Sequence, residues 1–237
     1  MYTGNQTTIL NEVSFFGKPK NMEKVVNVKI LPSEVDSGVI FKRTDLKENN
    51  IVKVDFKNAY IENDRLILKN QEGVSVSNIE LLLASIWSAK IDNLLIEIDG
   101  DSVPYIDGTS EPLTFLLTIG RIKELDKNRK IFEVAQDIGV RIDDFEISIK
   151  PNKTFVVNVN TSSSSFKFDN GVFPFKDWLS RISDESENKA KYDVISTIAI
   201  IFLSNMFCLF EVEFKNYNKK IKLEFFKNLF VNKQNNQ

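Results

Sequence analysis

Two stretches of this 237-residue chain follow the same course: ELLLASIWSAKIDNLLIEIDG from Glu80 to Gly100, and DVISTIAIIFLSNMFCLFEVEFKN from Asp193 to Asn216. In the first, Ile79, Leu82, Leu83, Ile86 and Trp87 recur at helical spacing over Ser77–Ala89, and Asn93–Asp99 then reads as an apolar strand. In the second, the spacing predicts a helix over Lys191–Asn205 and a strand over Cys208–Lys215. Each pair is followed by another helix, over Leu113–Leu125 and Lys219–Phe230. The repetition points to an internal duplication, with a first unit over residues 1–126 and a second over 127–237, parted at DKNR (Asp126–Arg129).

Outward from these anchors the period drops to two. Val25–Leu31 and Val39–Lys42 read as strands, turned by Pro32 and Asp36–Gly38. Ile51–Phe56, Ala59–Glu62 and Arg65–Lys69 follow, the last two joined at Asn63–Asp64, with Ser75 or Ser77 as helix cap and Gly100–Pro112 rich in turn residues. In the second half, Lys130–Val134, Val140–Ile142, Phe145–Ile149 and Phe155–Val159 alternate as strands. Phe175–Ile182 reads as a short helix and Ser183–Asn188 as an acidic linker. The fold class is therefore α+β: two similar units, each a mainly antiparallel sheet with two helices.

Composition excludes several kinds of function. The chain contains no histidine, which removes the usual general base and the commonest metal ligand. Its 31 basic and 33 acidic residues leave a net charge of −2, so no global field favours nucleic acid or an anionic membrane. The lone Cys208 lies in an apolar run and reads as a buried structural thiol. Ile195–Phe210 is too short and too interrupted for a bilayer span. The N-terminal decapeptide lacks the layout of a signal peptide. A cytoplasmic location without a transmembrane segment is the expectation.

Five motifs carry a resemblance: Gly38-Val-Ile-Phe-Lys-Arg-Thr-Asp45, Ser77-Asn-Ile-Glu80, Ile91-Asp-Asn93, Pro104-Tyr-Ile-Asp107-Gly108-Thr109 closing at Pro112, and, more weakly, Trp178-Leu-Ser-Arg-Ile182. In order and spacing the chain resembles the UDP-3-O-acyl-N-acetylglucosamine deacetylase family, whose members are zinc enzymes of lipid A synthesis. The resemblance implies two α+β units packed helix layer to helix layer, agreeing with the duplication. It also implies a catalytic zinc with three protein ligands and an open position for water, a glutamate base and a distal histidine.

Set on this sequence, the implied site has lost most of its chemistry. Glu80 stands at the base position, but Leu81 replaces the first ligand. On the second-unit helix, Lys189 replaces a histidine, Ala190 a lysine and Thr197 an aspartate, while Asp193 remains as a ligand type. Asn216 replaces the distal histidine, and Pro19-Lys20-Asn21 replaces an early Gly-Leu-His. Glu80, Leu81, Lys189, Asp193, Thr197 and Asn216 thus outline a vestigial pocket, and no metal or other cofactor is expected. The family's inserted lobe for the acyl chain is also missing, since Ser183–Asn188 alone bridges its place.

Plain structural roles compete with these assignments. Glu80 and Asp193 read as first-turn helix acids, Asp107-Gly108-Thr109 as a turn, Ser162–Ser165 as a flexible loop, and Lys189 with Lys191 as a solvated basic face. The expected function is that of a catalytically inactive homologue, a binding or regulatory protein. Its expected partner is a protein of lipid A synthesis or a nucleotide sugar. One alternative is a hydrolase with rebuilt carboxylate chemistry on Glu80 and Asp193, aided by Lys189 or a hard oxygen-bound ion such as Mg²⁺. Another is a structural oligomer partner using Phe225, Phe226 and Phe230.

Overall fold

A computed structural model describes residues 4–19, 23–106, 111–160, 165–169, 185–216 and 218–234 of the chain; for residues 165–166, 185–190 and 232–234 the backbone alone is described. The first half runs β1 (Asn5–Ile9), β2 (Val13–Gly17), β3 (Val26–Pro32), β4 (Val39–Arg43), β5 (Ile51–Lys53), β6 (Ala59–Glu62), β7 (Arg65–Lys69) and β8 (Ser75–Val76). Then come α1 (Glu80–Ser88), β9 (Leu94–Ile98), α2 (Glu111–Gly120) and β10 (Ile122–Asn128). The second half runs β11 (Ile131–Glu133), β12 (Ile138–Ile142), β13 (Phe145–Pro151), β14 (Val156–Asn160) and β15 (Ser165–Asp169). It ends with α3 (Glu185–Phe202), β16 (Phe207–Lys215) and α4 (Lys219–Gln234).

The duplication is written in the sheets. The first has the order β2-β3-β9-β4-β5 and the second β12-β13-β16-β14-β15, with β11 as a sixth strand parallel to the start of β16. In both, the strand after the repeated helix lies centrally, parallel to one neighbour (β4 or β14) and antiparallel to the other (β3 or β13). Alternation explains the inward faces: Val26, Val28 and Ile30 of β3 are buried, as are Phe210, Val212 and Phe214 of β16. On the outward face of β16, Glu211 and Glu213 accept from Asn158 and Asn160.

α1 lies against α3, forming a helix layer between the two sheets. Trp87 of α1 reaches the second unit, where Phe207 stacks on it at 6.2 Å and Phe155 meets it edge-on at 5.1 Å. On α4, Phe226 and Phe230 are core, and Phe230 stacks on Phe56 of the first unit at 5.6 Å. Phe225 is partly buried. Cys208 is buried, and burial pushes its thiol well above the ordinary range.

Several sequence expectations need correction. Leu113–Leu125 is not one helix: α2 ends at Gly120, Arg121 adopts a positive φ of 55°, and the chain turns into β10. That strand pairs antiparallel with β1, because the polar N-terminal segment buries Gln6 and Thr8 against hydrogen-bonding partners. β10 spans residue 126, so the link between units is itself paired backbone. β5 stops at Lys53, and Phe56–Asn58 forms a 3₁₀ turn capped by Asp55, which accepts from the Lys57 N–H at 2.8 Å. The α1 cap position is Ile79, without a side-chain cap; the Ser77 hydroxyl instead donates to the Asp101 carbonyl at 3.1 Å. α3 begins at Glu185, inside the expected acidic linker, and ends at Phe202 rather than Asn205. Ser165 opens β15 rather than closing a loop. The expected helix Phe175–Ile182, with Trp178–Ile182 inside it, the Asp107–Thr109 motif, and Lys20 and Asn21 lie outside the described residues.

The surviving motifs are polar staples of this frame. Asn93 accepts from the Gly38 N–H at 3.0 Å and donates to Gln6, while Asp92 forms a partly buried bidentate pair with Arg129 of the second unit, at 3.0 and 2.8 Å. Gly38 has φ of +63°, and a β-carbon there would lie 3.0 Å from Asn205 Oδ1, so a side chain would face both backbone strain and a clash. Arg43 grips Asp45 through both oxygens, at 2.8 and 2.7 Å, and donates to the Ser75 carbonyl.

The Arg43 contact holds the Asp45 carboxyl below its ordinary 3.8. Between the two values the unfolded chain binds more protons, so the stabilisation is complete above roughly pH 5 and is lost as pH falls through the folded value. Asp45→Asn is expected to lower stability at neutral pH by about 1 kcal/mol. It should also flatten the acid limb of a plot of unfolding free energy against pH.

Candidate functional site

A cleft of about 290 Å³ opens at the N-terminal end of α1. Its walls are Arg65, Asn78, Glu80, Leu81, Tyr105, Tyr192, Ser196 and Lys219, drawn from both units. Leu81 lines the cleft and does not plug it. The left-handed Asn78 (φ 56°) is fixed by donating to Ser102 Oγ at 2.6 Å, which sets where α1 starts. The hydroxyls of Tyr105 and Tyr192 meet at 3.1 Å, joining the loop after β9 to α3.

Glu80 is the first residue of α1, where the helix dipole favours a carboxylate. Its Oε1 accepts from the Leu66 N–H at 3.1 Å and faces Lys219 Nζ at 3.6 Å. Lys219 also donates to the Asp64 carbonyl at 2.7 Å, anchoring the start of α4 beside the β6–β7 turn.

Asp193 sits elsewhere in chemical terms. Because α3 begins at Glu185, Asp193 is a mid-helix residue and not a first-turn acid, and it is 2% exposed. Its Oδ1 accepts from the ammonium of Lys222, a residue of α4 that is 0% exposed. Thr197 Oγ1 accepts from the same ammonium at 3.0 Å and donates to the Asp193 carbonyl at 2.6 Å. The ammonium also stands 4.2 Å from the ring centre of Phe214. Burial pushes the Lys222 ammonium below its ordinary range, and the adjacent Asp193 charge opposes that push.

The six residues singled out from the sequence are thus partly dispersed. Glu80 and Leu81 share the cleft; Asp193 and Thr197 share a buried pair with Lys222. Asn216 takes a positive φ of 63° after β16 and donates to the Asp144 carbonyl at 2.6 Å, tying the end of β16 to the β12–β13 turn. Lys189 lies on the α3 backbone, in the segment whose side chains are not described. Sequence reading missed Lys219, Lys222, Arg65, Tyr105 and Tyr192. One signal was present: Lys222 falls in phase with Phe226 and Phe230 on the apolar stripe of α4, where a lysine requires a carboxylate.

The zinc implied by the resemblance needs three ligands and an open position. Among the described residues no group of three Asp, Glu, Cys or His side chains could hold a metal ion. Glu80 and Asp193 each face a lysine. The residues described do not fit that ion.

Duplicated sheets, one of five strands and one of six, around a shared helix layer, with a polar cleft at the start of α1, define a two-unit α+β class. Residues 6–181 match the LpxC family model, UDP-3-O-acyl N-acetylglycosamine deacetylase, and the chain belongs to that family. It is 33% identical over 169 residues to the UDP-3-O-acyl-N-acetylglucosamine deacetylase of Saccharophagus degradans, covering 71% of this chain and 54% of the relative. It is 29% identical over 184 residues to that of Aliarcobacter butzleri, covering 74% and 60%. The chain spans little more than half the length of these curated relatives. Among the described residues no helix is long and apolar enough to cross a membrane.

Proposed function

We propose that this chain is a catalytically inactive member of the deacetylase family, acting as a binding or regulatory protein in lipid A or envelope synthesis. The observation that carries the reading is the fate of the two carboxylates left at catalytic positions. Glu80 lies against Lys219 and accepts a backbone N–H, while Asp193 is buried against Lys222. A general base must reach the water it deprotonates, and a ligand must offer a lone pair to the ion. Glu80 is held against Lys219 on the cleft wall, and Asp193, 2% exposed, is closed off from water beside the Lys222 ammonium. The same contacts weigh against the alternative, a hydrolase with rebuilt carboxylate chemistry on an acylated sugar nucleotide.

The cleft supports binding in place of turnover. Arg65 supplies positive charge beyond the Glu80–Lys219 pair, and Tyr105 and Tyr192 line the wall with their hydroxyls in contact, a combination suited to the phosphates and hydroxyls of a nucleotide sugar. Purified chain incubated with UDP-3-O-acyl-N-acetylglucosamine should release no acetate above background, while a UDP-sugar should raise its unfolding midpoint. Glu80→Gln should change stability by less than about 1 kcal/mol, since the pair with Lys219 is long and glutamine can still accept the Leu66 N–H. Acetate release that Glu80→Gln abolishes would overturn the reading.

A further inference from the structure

We infer that Lys222 is a tethered stand-in for a metal cation, its ammonium neutralising Asp193 at the position where the fold once called for a bound ion. The inference rests on the non-catalytic reading above and says how the frame keeps its shape without a metal. Asp193 is 2% exposed, and its second oxygen, Oδ2, has no hydrogen-bond partner among the described residues. Compensation of the buried charge therefore falls on the Lys222 contact at Oδ1. A buried carboxylate without a cation is strongly disfavoured, so loss of an ion from such a place is matched by another positive charge, by protonation or by replacement of the acid.

The surroundings of Lys222 are those of a cation site. A carboxylate oxygen, a threonine hydroxyl and an aromatic face lie around its nitrogen. Its side chain comes from α4, so the pair also ties α4 to α3. A lysine carries one positive charge and no open coordination position, and it acidifies no water. The site keeps the electrostatics of a filled cation position and loses its chemistry.

The test is cation rescue. Lys222→Ala removes the ammonium and leaves space beside Asp193. Its thermal midpoint should fall by several degrees, and ethylammonium chloride at millimolar concentration should restore part of the loss in a saturable manner. Wild type should not respond. Lys222→Ala combined with Asp193→Asn should be more stable than Lys222→Ala alone and should lose the response. No rescue by ethylammonium, or rescue that persists with Asp193→Asn, overturns the role of Lys222. Acetate release is measured on wild type in parallel: its appearance would overturn the non-catalytic reading itself, whatever the outcome of the rescue.

Discussion

Lys222→Met is expected to destabilise the protein by about 3–5 kcal/mol, the loss typical when one partner of a buried ion pair is removed. The cause is the charge left behind more than the contact removed. Asp193 would stay buried with Oδ2 lacking a hydrogen-bond partner among the described residues and Oδ1 losing its ammonium. Thr197 could not compensate, because its hydroxyl already donates to the Asp193 carbonyl. Substituting both residues, Lys222→Met with Asp193→Leu, should recover most of the loss, since two apolar side chains of similar volume remove the desolvation penalty on both sides. Denaturant titration of the three variants at neutral pH checks this. Single and double variants of equal stability would mean that the two side chains are not coupled.

Trp87→Ala is expected to cost about 3–5 kcal/mol, through lost burial and the cavity left behind. Trp87 belongs to α1 of the first unit yet packs among Phe155, Phe168 and Phe207 of the second, at ring distances of 5.1, 6.4 and 6.2 Å. The substitution removes contacts that join the two units as well as contacts within one. Trp87→Phe should cost much less, because the indole N–H is buried without an acceptor among the described residues and its loss forfeits no hydrogen bond there. Equilibrium unfolding followed by fluorescence and circular dichroism separates the two outcomes. A Trp87→Ala protein that unfolds within 1 kcal/mol of wild type, on the scale of a surface change, would contradict this account of the core.

The repeated helix–strand pattern was legible because burial enforces its period. Leu82, Leu83 and Ile86 face inward, as do Leu94, Ile96 and Ile98 on the following strand. The polar N-terminus was not legible as a strand. Gln6 and Thr8 are buried by bonds to Asn93, Asp36 and Ser33, partners that no local pattern identifies. The end of α2 was lost for a related reason: apolar residues continue past Gly120, but pairing with β1 takes the backbone of Ile122 out of the helix. At the site, sequence reading grouped Glu80 and Leu81, and in the structure both line one cleft at the start of α1. It grouped Asp193 and Asn216 with them; the structure puts one in a buried ion pair and the other against the β12–β13 turn.

The sequence alone determined the two-unit frame and the absence of imidazole, because periodicity and residue identity are properties of the chain itself. Only the tertiary structure decided which cation answers Asp193. Lys222 lies 29 residues away on a different helix, and its meeting with Asp193 depends on how α3 and α4 rotate to bury their apolar faces, Ile-rich on α3 and Phe-rich on α4. That rotation is set by packing over the whole core, while the loss of the histidines could be read one residue at a time.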